Sequence, residues 1–193
     1  MPEILQLSGG KASAYVEDLA RLRLQVFREY PYLYDGDMAY EVAYLDTFLQ
    51  AQRNFMVVVK DGDSVVGAST GLPLVEETDN IKSPFLEAGW DITKVFYFGE
   101  SVLLPGYRRK GFGKQFFELR EQFARTLGFS TLAFCAIVRP DHHPGRPEGY
   151  QPLDPLWRSQ GFQPEDLHCM ISWKETTEAE ESAKPLQFWT KHL

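Results

Sequence analysis

Residues 108–114 read Arg108, Arg109, Lys110, Gly111, Phe112, Gly113 and Lys114, which places four of the 20 Lys and Arg residues within seven positions. The whole chain has a formal net charge of −7, so this cluster is a local inversion of sign. Before it stands the apolar run Val102-Leu103-Leu104, closed by Pro105-Gly106. After it, Phe116, Leu119, Phe123 and Leu127 mark one face of a helix over Gly113–Leu127, with Gly128 as its stop. The order predicted is therefore strand, basic glycine-bearing turn, helix. The first N–H groups of a helix lack partners within it, its dipole favours an anion, and glycines let phosphate oxygens approach the backbone. That chemistry is pyrophosphate binding, set against the plainer reading of a shaped turn with a solvated basic face. Other phosphate cradles fit poorly: Phe116 stands where Gly-x-Gly-x-x-Gly needs its third glycine, and no Gly-Lys-Ser/Thr follows.

A second chemical candidate precedes the basic turn. Phe98-Gly99-Glu100-Ser101 sets a carboxylate just before Val102, either facing solvent from a strand or poised to accept a proton. Cys135 and Cys169 lie in apolar runs without metal-ligand spacing and read as reduced core thiols, as in a cytoplasmic protein. Asp141-His142-His143 has no third spaced ligand, so no metal is expected. The acidic balance argues against a nucleic-acid partner, and no run suits export or a membrane span.

The remaining chain supplies the elements that position these residues. A strand is expected over Ile4–Leu7 and a helix over Ala14–Tyr30. After the aromatic turn Tyr30-Pro31-Tyr32-Leu33-Tyr34, a second helix over Glu41–Ala51 follows from Val42, Leu45, Phe48 and Leu49. Asn54–Lys60 and Ser64–Leu72 form a hairpin about Asp61-Gly62-Asp63. A polar loop through Ile81, Pro84 and Trp90 leads to a strand over Lys94–Leu104. Thr131–Val138 reads as a central strand covered on both faces, and Arg139–Gln151 as an active-site loop. A short helix over Leu153–Gln160 and strands over Leu167–Lys174 and Leu186–Lys191 complete the chain, with Glu175–Glu181 a solvated connection. No repeat or internal boundary divides residues 1–193, so one domain is expected.

Arg108-x-x-Gly111-x-Gly113, following a strand that ends in Val102-Leu103-Leu104-Pro105, resembles motif A of the GCN5-related N-acetyltransferases (GNAT). Trp157-x-x-x-Gly161-Phe162 resembles that superfamily's Tyr-x-x-x-Gly-Phe, and the element order is similar over essentially the whole chain. The resemblance implies an α/β (α+β) fold: a mixed sheet of about seven strands, splayed in the middle, with about four helices around it. It implies acetyl-CoA as co-substrate. The backbone of Val102, Leu103 and Leu104 would pair with the pantetheine arm, and Arg108, Arg109, Lys110, Gly111, Phe112, Gly113 and Lys114 would wrap the pyrophosphate.

The activity implied is transfer of an acetyl group to a primary amine of a small molecule or protein. An aliphatic amine with a pKa of about 10.4 is protonated at neutral pH, so a base is useful, and Glu100 is the candidate. A backbone N–H near Val102 or Leu103 would meet the oxyanion. The superfamily's acidic tyrosine is replaced by Trp157, whose indole cannot serve, leaving Tyr150 and His143 as alternatives. Tyr30, Tyr32, Tyr34 and His143 would line the acceptor pocket of a monomer or homodimer. A non-catalytic acyl-CoA-binding module and a nucleotide-dependent α/β enzyme are the competing readings.

Overall fold

In the computed structural model, which describes residues 2–193, seven strands form one mixed sheet. They are β1 (Glu3–Ser8), β2 (Phe55–Asp61), β3 (Ser64–Pro73), β4 (Val95–Leu103), β5 (Thr131–Ile137), β6 (Gln163–Trp173) and β7 (Ser182–His192). The spatial order is β1-β2-β3-β4-β5-β7-β6. All neighbours run antiparallel except β4 and β5, which are parallel and meet only at Val95/Thr131, Phe96/Leu132 and Tyr97/Ala133. Beyond Tyr97 the two strands part, as the resemblance implied.

The helices are α1 (Val16–Phe27), α2 (Met38–Tyr44), α3 (Asp46–Gln50), α4 (Asp79–Glu87), α5 (Phe112–Thr126) and α6 (Asp154–Ser159). Helices α2 and α3 run nearly end to end through Leu45. The amphipathic face of α5 puts Phe116, Phe117 and Ala124 on Phe96, Phe98, Leu132 and Phe134, while α1 covers Met56, Val58, Ala68 and Val102 on the opposite face. Helix α5 stops as expected: Gly128 takes φ +79°, its N–H donates to Arg125 O, and Phe129 N–H donates to Ala124 O. Helix α6 ends the same way at Gly161, with Phe162 N–H donating to Trp157 O.

Side chains of a regular strand alternate between faces, and β4 breaks that rule where it matters. Phe96 and Phe98 face α5, whereas Val95 and Tyr97 face the other side with α4. The β3/β4 register then shifts: Ser69 opposes Ser101 while Gly71 opposes Phe98, leaving two residues, Gly99 and Glu100, opposite Thr70. This bulge resets the alternation, so Glu100 and Val102 share the face of Tyr97. Gly99 is required there, because a Cβ would lie 2.6 Å from Thr70 Oγ1.

Three expectations are corrected. The polar loop expected through Ile81 and Pro84 contains helix α4, because Ile81 and Phe85, one turn apart, are buried in the core and outweigh the missing Pro84 donor. Val42, expected on the core side of its helix, is exposed, and Glu41 is wholly buried instead. Glu175, expected in a solvated connection, is buried and paired with Arg139 at 2.6 Å and Lys184 at 3.8 Å.

Candidate active site

The gap between β4 and β5 is one end of the site. Leu104 N–H already donates to Val66 O at 2.9 Å, so of the three residues expected to pair with a pantetheine arm, Leu104 is occupied by β3. In an antiparallel ladder alternate residues face the partner strand, which turns the Leu103 N–H toward the open side. The turn beyond β4 carries Arg109 at φ +60° and Gly111 at φ +93°, and Gly111 precedes α5 without any side-chain cap. Gln115 N–H is satisfied by Gly111 O, so the amides of Phe112, Gly113 and Lys114 are the orphans of the first turn. Nothing lies within 4 Å of a Cβ built on Gly113. Orphan donors, a positive dipole end and open space suit a pyrophosphate.

The basic side chains are not equivalent. Arg108 binds Glu29 through both terminal nitrogens, at 2.7 and 2.9 Å, and donates from Nε to Leu103 O at 3.0 Å. Its guanidinium therefore ties the turn to the chain just beyond α1. Lys114 pairs with Glu118 on its own helix at 3.2 Å, and Lys110 lies 5.2 Å from the Tyr107 ring. Arg109 has no ion pair or side-chain hydrogen bond among the described residues.

The other end of the site is built around Glu100, which is buried at the bulge. One carboxylate oxygen accepts from Arg23 Nη1 and the other from the Thr70 hydroxyl. Thr70 Oγ1 also accepts from the Glu100 N–H at 3.2 Å. Arg23, reaching in from α1, donates from Nε to Glu41 as well. Burial works against its charge, but Glu100, Tyr44 and Glu41 more than offset this and hold Arg23 above the ordinary arginine range. From the opposite face of β4, the wholly buried Arg120 donates to Thr70 O at 3.0 Å, Glu100 O at 3.4 Å and Ser101 Oγ at 2.7 Å. Burial pulls Arg120 down to about 9.

Tyr97 and Cys135 share a hydrogen bond at 3.1 Å where the strands part. Burial first, and the charge of Cys135 second, push the Tyr97 hydroxyl up; Cys135 is also raised, chiefly by Cys169 and by burial, with the Tyr97 hydrogen bond acting the other way. Glu77, just after β3, is half-buried, and burial raises its carboxyl, with Glu100 adding to the rise. Sequence reasoning passed over Arg23, Glu77 and Tyr97. An arginine on the core stripe of the first helix was the available signal for Arg23.

The aromatic candidates divide. Tyr30 meets Tyr150 edge-on at 4.7 Å and His143 at 5.6 Å, which brings three expected site residues together. Arg139 holds this arrangement by donating to Pro31 O and Tyr32 O. Tyr32 packs on Phe27, with its hydroxyl beside Cys135 and Ile137 and raised mainly by burial. Tyr34 leaves the group: its ring lies over Gly36 and its hydroxyl beside Glu41, so it closes the base of α2. Trp157 packs on Phe134 at 5.2 Å and Trp189 at 5.0 Å as a core residue.

The sequence profile of the Acetyltransferase (GNAT) family matches residues 18–147. The chain belongs to the GNAT acetyltransferase family. No curated protein sequence matches it. Among solved structures, a ribosomal-protein-alanine N-acetyltransferase from Brucella melitensis has a TM-score of 0.61 at 13% identity, covering 98% of this chain and 99% of that one. The PaiA N-acetyltransferase of Thermoplasma acidophilum, in complex with coenzyme A, gives 0.58 at 13% identity over 100% and 99%. AAC(6')-Iy, in complex with the bisubstrate analogue CoA-S-monomethyl-acetylneamine, gives 0.55 at 16% identity over 91% and 98%. At these identities the likeness is one of fold. Among the described residues of this GNAT chain, no three His, Cys, Asp or Glu are grouped to hold a metal ion, and no helix is long and apolar enough to cross a membrane.

Proposed function

We propose that this GNAT protein transfers an acetyl group from acetyl-CoA to a primary amine of a small molecule or a protein, by direct attack of the amine on the thioester. The observation that carries the reading is the parting of β4 and β5 directly beside the uncapped, glycine-bearing start of α5. Orphan amides at Phe112, Gly113 and Lys114 would hold the pyrophosphate, with Arg109 and Lys110 as nearby cations. The open edge of β4 at Leu103 would take the pantetheine amide. Coenzyme A is captured in related structures from Thermoplasma acidophilum and in AAC(6')-Iy, which supports the same use of the gap here.

Glu100 is the proposed proton acceptor. Each of its oxygens accepts one hydrogen bond from the protein, and a carboxylate oxygen has a second lone pair for the incoming ammonium or a bridging water. Arg23 and Thr70 fix its position. Tyr150, beside Tyr30 and His143, is the proposed proton donor to the leaving thiolate. A thiol of pKa about 8.5 leaves readily as the anion, so this help is modest.

Trp157, half-buried against Phe134 where the resemblance places an acidic tyrosine, favours a second reading in which the protein binds acyl-CoA without turnover. Release of free thiol from acetyl-CoA in the presence of amines separates the two. The expected result is turnover reduced about 10²- to 10⁴-fold by Glu100→Gln, with coenzyme A affinity retained. Tight binding of acetyl-CoA with no turnover on any amine would instead favour the binding module.

A further inference from the structure

Arg120 is 1% exposed, and among the described residues no carboxylate is paired with it. Taking an ion out of water without a counter-ion is costly, so what its donors reach is informative. Nε donates to Phe116 O on its own helix at 3.0 Å, and Phe98 and Phe117 pack on the guanidinium. Nη1 reaches the carbonyls of Thr70 and Glu100, where the bulge leaves ladder groups unpaired. Those carbonyls account for one end of the fork. The other end, Nη2, goes to the Ser101 hydroxyl at 2.7 Å.

Ser101 is exposed although β4 is the middle strand of the sheet, because β5 has left β4 beyond Tyr97. A guanidinium has only donors, so the hydroxyl accepts in this bond and its own hydrogen is free for another partner. Among the described residues nothing takes that hydrogen. The main chain adds a second donor at the same residue. Leu104 N–H is bonded to Val66 O, and the register runs on through Leu103/Gly67 and Ser101/Ser69, so the N–H of Ser101 is turned to the open edge together with that of Leu103. Thus a hydroxyl and an amide of one residue border the seam, and the buried cation behind the hydroxyl strengthens its donation. The Glu100 carboxylate lies on the opposite face of β4, held by Arg23 and Thr70. The strand therefore separates a proton acceptor on one face from unspent donors and a cation on the other.

We propose that Ser101 is a catalytic residue: its hydroxyl, oriented by Arg120, donates to the thioester oxygen of acetyl-CoA as negative charge develops there. As the amine nitrogen bonds to the carbonyl carbon, the C=O π pair moves onto oxygen, where the hydroxyl and a main-chain N–H stabilise it. The proton stays on Ser101. The pair returns when the C–S bond breaks and the thiolate departs. Arg120 is a positioning residue, fixing the hydroxyl by occupying its lone pair. The assignment rests on the transferase reading above and is separate from the help Tyr150 gives to sulfur.

Difference infrared spectra of the protein with acetyl-CoA isotopically labelled at the thioester carbonyl test it. A donor at that oxygen lowers the carbonyl stretch, so the bound band should lie below that of free acetyl-CoA. Ser101→Cys keeps an acceptor for Arg120 but offers only a weak donor, and Ser101→Ala removes both. In each the band should move back toward the free position, while Ser101→Thr holds it. Arg120→Lys, which keeps the charge without the fork, should move the band part of the way. With spermidine, 2-phenylethylamine and a lysine-containing peptide as acceptors, Ser101→Cys should lower kcat about 10²- to 10³-fold and leave Kd for coenzyme A unchanged. A band that stays in place in both Ser101→Cys and Ser101→Ala overturns the inference. So does a loss of coenzyme A affinity equal to the loss of kcat, which would make Ser101 structural. A band unmoved by Arg120→Lys overturns the positioning role of Arg120. A band that responds to Ser101 while no amine is turned over overturns the transferase reading and leaves the contact between hydroxyl and thioester standing.

Discussion

Arg23 on α1 donates a hydrogen bond to Glu100 on β4, although 77 residues separate them in sequence. The same guanidinium holds Glu41, so two buried carboxylates from different elements depend on one cation. Removing it is more damaging than never having had the cluster, because the anions left behind have no water to solvate them.

Arg23→Met is therefore expected to destabilise the protein by about 3–5 kcal/mol, read from the urea midpoint. Arg23→Lys should recover only part of this, since a single ammonium on a flexible stem cannot reproduce two fixed forks. A midpoint unchanged by Arg23→Met would refute the buried network.

Gly99→Ala tests the bulge. Its Cβ would meet Thr70 Oγ1 at 2.6 Å, and that hydroxyl is already committed to the Glu100 carboxylate and N–H. The expected outcome is a loss of ~1–3 kcal/mol with a fall in kcat larger than any change in coenzyme A affinity. An unaltered kcat would separate the bulge from catalysis.

Gly113→Ala should move stability and ligand binding in opposite directions. The position is helical, at ordinary φ, with room for a methyl group, so exchange should stabilise the free protein by ~0.4–1 kcal/mol. The same methyl would occupy space next to the orphan amides, and the Kd for coenzyme A should rise. Equal affinity in the two proteins would move the pyrophosphate elsewhere.

Glu77 is expected to cost stability at neutral pH. Its carboxyl is raised by burial, so the folded state binds a proton more readily than the unfolded chain, and the penalty is full above the raised value and relieved as pH falls through it. Glu77→Gln should be more stable than the parent near pH 7, with the difference vanishing as pH falls toward the ordinary value of 4.5. If Glu77 contributes to ammonium binding, the same exchange raises KM for the amine.

Glu178 has the opposite sign. Hydrogen bonds from Lys184, Ser182 and the Glu175 N–H hold it down to about 2, so its contribution is present above the unfolded value of 4.5 and disappears as pH falls toward 2. The parent should exceed Glu178→Gln in urea midpoint at neutral pH and match it near pH 2. A difference that persists in acid would locate the effect outside this carboxylate.

The strand, glycine-bearing turn and helix around Gly111 were legible because they are local. A strand, two glycines and an amphipathic helix follow one another between Val95 and Thr126, and the pattern of each is set by near neighbours in sequence. The hairpin at Asp61-Gly62-Asp63 and the stop at Gly128 were readable for the same reason. Glu41 was not. Its burial depends on Arg23, eighteen residues away, and on a break at Leu45 that resets the helical register, so Val42 loses the inward position its hydrophobicity suggests. Helix α4 was hidden by Pro84, although the Ile81 and Phe85 spacing carried the signal. Tyr34 was grouped with Tyr30 and Tyr32 by proximity, whereas a single turn of chain sends the three rings to different neighbours.

Only three residue pairs join β4 to β5, and beyond Tyr97 the sheet is two half-sheets with a seam between them. A molecule seated in that seam would be a structural member as much as a reactant, because its own amides would bridge edges the protein leaves unbridged. Occupancy should then be felt mechanically as well as chemically: at a hundredfold excess over Kd, a ligand adds about 2.7 kcal/mol to stability. An occupied seam would in this way open less often, and the chain around it would be cleaved more slowly by a protease.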